Sequence, residues 1–451
     1  MSTPKFTLVC LLLLLVPGLL PATEIGGIDV WIGAADGETN ARSAIYDFDS
    51  NTGILYAVIE WGGSWTFNIS TDAGTTWSRR YRYTCTQGLA AVDMTVSGAW
   101  VYVGYTCSIA SQADLAKMRR FALDTGDLDS GYTTNGHEVA DTGPSNVADI
   151  ALETLIDNDG EKVFYTLIQS DGLVRTFWDF STDGTQFSEV PLNVFDAQGG
   201  LDIHRNQDFD TYSLFLSVVN EGGSNIEVWR FDDAWTLATD FAYNGDQSRS
   251  AVAAYDDQVA VAYLASESHG QGLRYRHSTD AGDTWSPGML IAEPTAGAGD
   301  FLDVDMTARG GEGLAIVYNL EAGESDLSLF QYKPSFAPGP WTGPRSFNDF
   351  DSVTGLPIAL NTAPAGQYGV IYVGGEDFTP YFDLLDPAAV FLAGFETGDT
   401  SEWSFTDPRW PSRTSRPAAT RFSPWTESGQ SAQRDRRALC FSNPVALPSS
   451  F

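Results

Sequence analysis

The chain has 451 residues, with 59 Asp and Glu against 25 Lys and Arg and a formal net charge of −34. A field of that sign repels nucleic acid and anionic membrane surfaces, so neither is expected as a partner. With four cysteines and four histidines, the chain has little material for a metal centre; no metal and no cofactor is expected.

Residues 1–23 carry one lysine, the apolar run FTLVCLLLLLVPGLL and then small residues around Ala22, the order of a secretory signal. Pro17 and Gly18 interrupt the run and leave it short for a membrane span, although a retained anchor is the alternative reading. Val9 before Cys10 is not the small residue a lipoprotein signal usually has. The mature chain is therefore expected to be secreted, at the cell surface or in the periplasm, without membrane insertion.

From residue 54 onward, period-two runs recur: ILYAVIEW, WVYVGYT, KVFYTLI, YSLFLSVV, QVAVAYLA, GLAIVYN and YGVIYVG, starting at 54, 100, 162, 212, 258, 313 and 368. Alternation of this kind is the mark of strands, and a unit of about 50 residues holding several strands is the mark of propeller blades. One unit shows the layout: SAVAAYD (250–256), QVAVAYLAS (258–266), GLRYRHS (272–278) and PGMLIAE (287–293) read as four strands in succession. The one helix-like stretch, 111–124, is better read as holding a blade strand around Met118 to Leu123. The fold class expected is all-β, a β-propeller of four-stranded blades over 24–394. Seven blades are preferred and six is the alternative, with the last blade (355–394) completed by an N-terminal strand around Ile28 to Ile32. Cys85 and Cys107 end similar strand-like runs and would form a disulfide in an oxidising compartment; two unpaired core thiols are the alternative.

One polar stretch repeats. Ser70, Asp72, Gly74 and Trp77 recur as Ser278, Asp280, Gly282 and Trp285, and a copy one residue shorter has Ser181, Asp183, Gly184 and Phe187. The chemistry is that of a turn: Asp accepts from backbone N–H groups, Gly takes positive φ, and the aromatic buries a large face. These segments resemble the Asp-box (BNR) repeats, S-x-D-x-G-x-x-W, of the sialidase-like β-propellers. In that family the box joins the third and fourth strands of a blade, away from the catalytic face, so the resemblance implies a structural role here and directs the search for function to the other rim.

The same resemblance implies what an enzyme would need: three arginines, a Tyr–Glu pair and an acid/base Asp. Arg42 opens the first unit where the family has its first arginine, but Arg249-Ser250-Ala251-Val252 repeats Arg42-Ser43-Ala44-Ile45 without the family's proline. Arg175, Arg274 and Arg276 lie in strands before boxes, and Tyr368, Tyr372 and Tyr381 stand late in the chain without a recognisable nucleophile context. No complete catalytic set emerges, and no catalytic residue beyond the candidate Arg42 is assigned. Trp61 and Trp65 flank Gly62-Gly63 and are candidates for stacking on a sugar ring, although core or rim packing of a blade is the favoured reading. Asp157 to Glu161 lacks calcium-loop spacing and reads as a hairpin turn.

After Leu392 the composition changes. GFETGDTSEWS resembles a segment found near the C-termini of exported bacterial proteins. Residues 401–451 hold seven Arg against four acids, are rich in Pro and Ser, include Cys440, and show no alternation. Disorder is the expectation for 395–451, and a frame error in the source sequence would give the same abrupt change. The functional expectation is a monomeric, non-catalytic binding or surface-interaction propeller, with a glycan or a cell-surface protein as partner. A sialidase-like glycoside hydrolase is the alternative.

Overall fold

A computed structural model describes residues 30–385. It leaves out 34–40, 87, 110–111, 133–135, 142–145, 158, 181–185, 207–212, 221–224, 243–248, 268–269, 294–300, 310–312, 323–324, 335, 337–338, 348–357, 364–365 and 375–377. The expected signal segment, the tail, and Ser181, Asp183 and Gly184 of the third box lie outside the described residues.

Seven antiparallel four-stranded sheets form the blades. Blade 1 comprises Ala41–Phe48, Leu55–Trp61, Ser64–Ser70 and Ser78–Thr84; blade 2, Leu89–Val96, Trp100–Ile109, Gln112–Ala122 and His137–Asp141. Blade 3 comprises Val147–Asp157, Gly160–Gln169, Val174–Phe180 and Ser188–Val190; blade 4, Gly199–Arg205, Leu214–Asn220, Asn225–Phe231 and Trp235–Ala242. Blade 5 comprises Ser250–Tyr255, Gln258–Glu267, Gly270–Ser278 and Met289–Ala292; blade 6, Phe301–Ala308, Leu314–Ala322, Ser325–Lys333 and Arg345–Ser346. Blade 7 is Ala359–Thr362, Tyr368–Gly374 and Thr379–Leu385, and its fourth strand is the N-terminal Val30–Trp31, with Val30 opposite Phe382 and Trp31 opposite Tyr381. The chain thus closes the ring as the sequence leads one to expect, by tying its start to its last blade.

The seven alternating runs of the sequence are the seven second strands. They are near-continuously apolar because each is covered on both faces by neighbouring blades: Leu214–Asn220 and Tyr368–Gly374 are buried at every position. The fourth strand of blade 1, SRRYRYT, is mostly exposed. The core is not one mass but seven apolar clusters, one at each interface between adjacent blades. The one between blades 7 and 1 joins Ile371, Val373 and Phe382 to Ala44, Leu55 and Ile59. First strands pack against first strands around the whole circuit, blade 7 against blade 1 included, and so enclose the axis. A disulfide links Cys85, at the end of blade 1, to Cys107 in the second strand of blade 2.

Candidate functional site

The two fully described boxes are closed hydrogen-bonded turns. Ser278 Oγ donates to Asp280 Oδ1 (2.7 Å) and accepts from Gly282 N (2.8 Å), while Asp280 takes Thr284 N on Oδ1 (2.8 Å) and Thr284 Oγ1 on Oδ2 (2.5 Å). The Thr284 hydroxyl, then its N–H, hold the Asp280 carboxyl below the usual carboxylate range. Ser70, Asp72, Gly74 and Thr76 repeat these bonds. Ala73 and Gly74, like Ala281 and Gly282, have positive φ. The aromatic that follows packs on the preceding blade: Trp77 meets Phe382 edge-on at 5.3 Å and Trp285 meets Phe241 at 5.5 Å. Arg230 of blade 4 donates to the Ala281 carbonyl (3.0 Å). Each box therefore fastens a blade to its predecessor. Phe187, the described end of the third box, is half-buried against the apolar cluster between blades 2 and 3.

The other residues singled out from sequence do not converge. Arg42 is exposed at the start of the first strand of blade 1, where its charge acts on Glu60. Arg175 holds Glu189 through two bonds of 2.8 Å, Arg249 approaches Asp303 at 3.4 Å, and Arg276 lies over the Phe241 ring. Arg274 shares the third strand of blade 5 with Arg276, away from the axis. Tyr368, Tyr372 and Tyr381 pack within the apolar cluster between blades 6 and 7. Trp65 is fully buried, ringed by Tyr81, Tyr83, Tyr105 and Phe121. Trp61 is 7 % exposed, with its indole N–H on Thr66 Oγ1 (3.0 Å). Gly62-Gly63 is only a two-residue hairpin turn, so these tryptophans are core residues with no face to offer a sugar, and the stacking expectation is corrected. Asp157 accepts the N–H groups of Asp159 and Gly160 and caps the hairpin turn expected there.

The structure instead brings together a set the sequence reading missed: acidic residues in five of the seven first strands. Asp47 Oδ2 accepts Val96 N of the next blade (2.8 Å), Asp93 accepts Leu152 N (2.6 Å), Asp202 accepts Val252 N (2.7 Å), and Asp305 accepts Leu360 N (2.6 Å). Asp149 with Leu201 N (3.4 Å), Glu153 with Arg205 N (3.3 Å) and Asp303 with Ile358 N (3.0 Å) continue the series. Asn361 of blade 7 closes it by donating to Asp47 Oδ1 (2.9 Å). Blade 5 has no acid at this place, and there Arg249 reaches Asp303 of blade 6 instead.

Asp47, Asp93, Glu153, Asp202 and Asp305 line an axial cavity of about 560 Å³, together with Asn206, Asn361, Thr95, Thr307 and the cation Arg205. Arg205 is held by Thr154 Oγ1 (2.8 Å). Burial, and after it the charge of Glu153, pushes the Asp47 carboxyl up to about 7. Burial also raises Asp93 and, with neighbouring carboxylates adding to it, Asp202 and Asp305, while it lowers His204. Its lining reaches Asp49 to Asn51, Ser97-Gly98 and Asn206, in the turns between first and second strands, and Ile156 near the end of the first strand of blade 3. In an up-and-down blade those turns lie on the same rim as the third-to-fourth-strand connections, so this cavity opens on the rim of the Asp boxes, not on the opposite one. Connections of the opposite rim, 243–248 and 294–300 among them, lie outside the described residues. Among the described residues, no three His, Cys, Asp or Glu side chains come together as a metal site.

No family model matches the chain, and neither does any curated protein. Solved structures do. The NanB sialidase of Streptococcus pneumoniae matches with 11% identity and a TM-score of 0.46 over 81% of this chain and 71% of that one. The six-bladed fucose-binding lectin of Aleuria aurantia matches with 13% identity and a TM-score of 0.44 over 65% and 90%. AofleA from Arthrobotrys oligospora matches with 11% identity and a TM-score of 0.46 over 69% and 87%.

Proposed function

We propose that the protein is an exported, non-catalytic binding propeller whose ligand is a glycan held in the axial cavity. The observation that carries this reading is the way the cavity carboxylates are fixed. The five on first strands, Asp47, Asp93, Glu153, Asp202 and Asp305, each accept an N–H of a following blade, so each is a rigid acceptor rather than a group free to swing into a reaction. A carboxylate has about four lone-pair sites, which leaves capacity for ligand hydroxyls. The amides of Asn206 and Asn361 and the hydroxyls of Thr95 and Thr307 supply both donors and acceptors. The acidic walls disfavour a carboxylate-bearing sugar such as sialic acid. Export rests on the N-terminal signal pattern.

A glycoside hydrolase is the second reading, favoured by one observation: Asp47, raised to about 7 beside Glu153, has the protonation behaviour of a general acid. A glycan array read beside a fluorogenic glycoside panel separates the two. The binding reading expects retention of neutral or basic oligosaccharides, no retention of sialosides and no product release. Turnover abolished by Glu153→Gln overturns it in favour of the hydrolase.

A further inference from the structure

Within the glycan-binding reading, on which this inference rests, we infer that the ligand carries a free, positively charged amine: an amino sugar rather than a neutral or N-acetylated one. Two independent features support it. The first is the balance of charge on one small surface. Seven carboxylate residues line the cavity against a single guanidinium, that of Arg205. These groups act on one another: Glu153 raises Asp47, and Asp202 raises Asp305. A cation placed among them relieves that repulsion, whereas a neutral ligand leaves it in place.

The second feature is Thr307. It lines the cavity on the same strand face as Asp305, two residues away, is only 2 % exposed, and its Oγ1 has no hydrogen-bond partner. An unsatisfied buried hydroxyl costs free energy unless a ligand supplies its partner. An ammonium group brings three donors and no acceptor, which suits a wall whose acidic residues outnumber its one guanidinium seven to one. The carboxylates do not converge as a metal site, and about 560 Å³ is room for a molecule rather than an ion.

Calorimetry at neutral pH and low salt tests the inference with a β-1,4-linked glucosamine trimer and its N-acetylated counterpart, in which acetyl groups remove the amine charges. The trimer should bind at least about tenfold more tightly. Glu153→Gln should weaken the trimer by about tenfold and the acetylated form by clearly less, so that the preference for the free amine shrinks. Arg205→Gln, which removes the competing cation, should tighten the trimer, and this opposite sign keeps the test decisive if Glu153→Gln folds poorly. Equal affinity for the two sugars overturns the amine assignment while the glycan reading stands. Trimer binding indifferent to both substitutions overturns it as adsorption to the acidic surface. Binding of neither sugar overturns it too, and the glycan reading falls with it only if neutral oligosaccharides on the array also fail.

Discussion

Asp202 in the first strand of blade 4 accepts the backbone N–H of Val252 in the first strand of blade 5, Oδ2 to N 2.7 Å. The bond crosses from one sheet to the next, and Asp47, Asp93 and Asp305 repeat it at other interfaces. Neighbouring first strands are not paired in a common ladder, so these side chains satisfy N–H groups that would otherwise be buried without a partner. Asp202→Ala strands the Val252 N–H and should cost about 1–3 kcal/mol, read as a lower urea midpoint at unchanged slope. An unchanged midpoint would show that the bridge contributes nothing.

The acidic axis sets an unusual pH dependence. A carboxyl whose folded pKa stands above its unfolded value near 4 binds its proton more tightly in the folded state. Its contribution is complete at low pH and is lost as pH rises through the folded value. For Asp47, about 7, and Asp303, about 6, that window is roughly pH 4 to 7. The Asp280 carboxyl, held low, works in the opposite sense: its contribution is present above the unfolded carboxylate pKa and is lost as pH falls through the folded value. On these groups stability should be highest near pH 4 and fall toward pH 8, with Asp47 alone worth on the order of 3 kcal/mol between pH 5 and pH 8. A Tm rising from pH 5 to pH 8 would contradict this.

The boxes act as fasteners between blades. A Cβ on Gly74 would stand 2.1 Å from Phe382 Cε1 of the last blade, at a φ of +87°. Gly74→Ala should destabilise by about 2–4 kcal/mol, from backbone strain and overpacking together. Asp280→Ala should also lower the melting temperature while leaving the ligand affinity of the folded protein intact, because Asp280 does not line the cavity. Affinity lost at unchanged melting temperature would make the box part of the binding site.

Cys85 and Cys107 lie 22 residues apart and join blades 1 and 2. Closing a loop of that length stabilises by about 3 kcal/mol on the chain-entropy model. Reduction, or replacement of both cysteines by alanine, should lower Tm correspondingly in thermal melts, and an unchanged Tm would refute the contribution.

Most of the architecture was legible because it repeats. The seven second strands are covered on both faces, and that burial writes the apolar runs ILYAVIEW to YGVIYVG into the chain. The boxes were legible because turn chemistry demands particular residues at fixed spacing. The axial site was harder to see. Its signal is one to three acids in each of five first strands, as in Val92-Asp93-Met94-Thr95 and Val304-Asp305-Met306-Thr307. So few carboxylates are lost among 59 acids unless first strands are aligned by their place in the blade. Trp61 and Trp65 misled for a local reason: two glycines between aromatics resemble an open loop, but positive φ at both makes the tightest of hairpins.

A crystal structure of the protein soaked with the glucosamine trimer tests the central claim most directly. The account predicts sugar density in the axial cavity on the Asp-box rim, in contact with Glu153 and Thr307. Density on the opposite rim, around Arg42, with an empty axial cavity would contradict it.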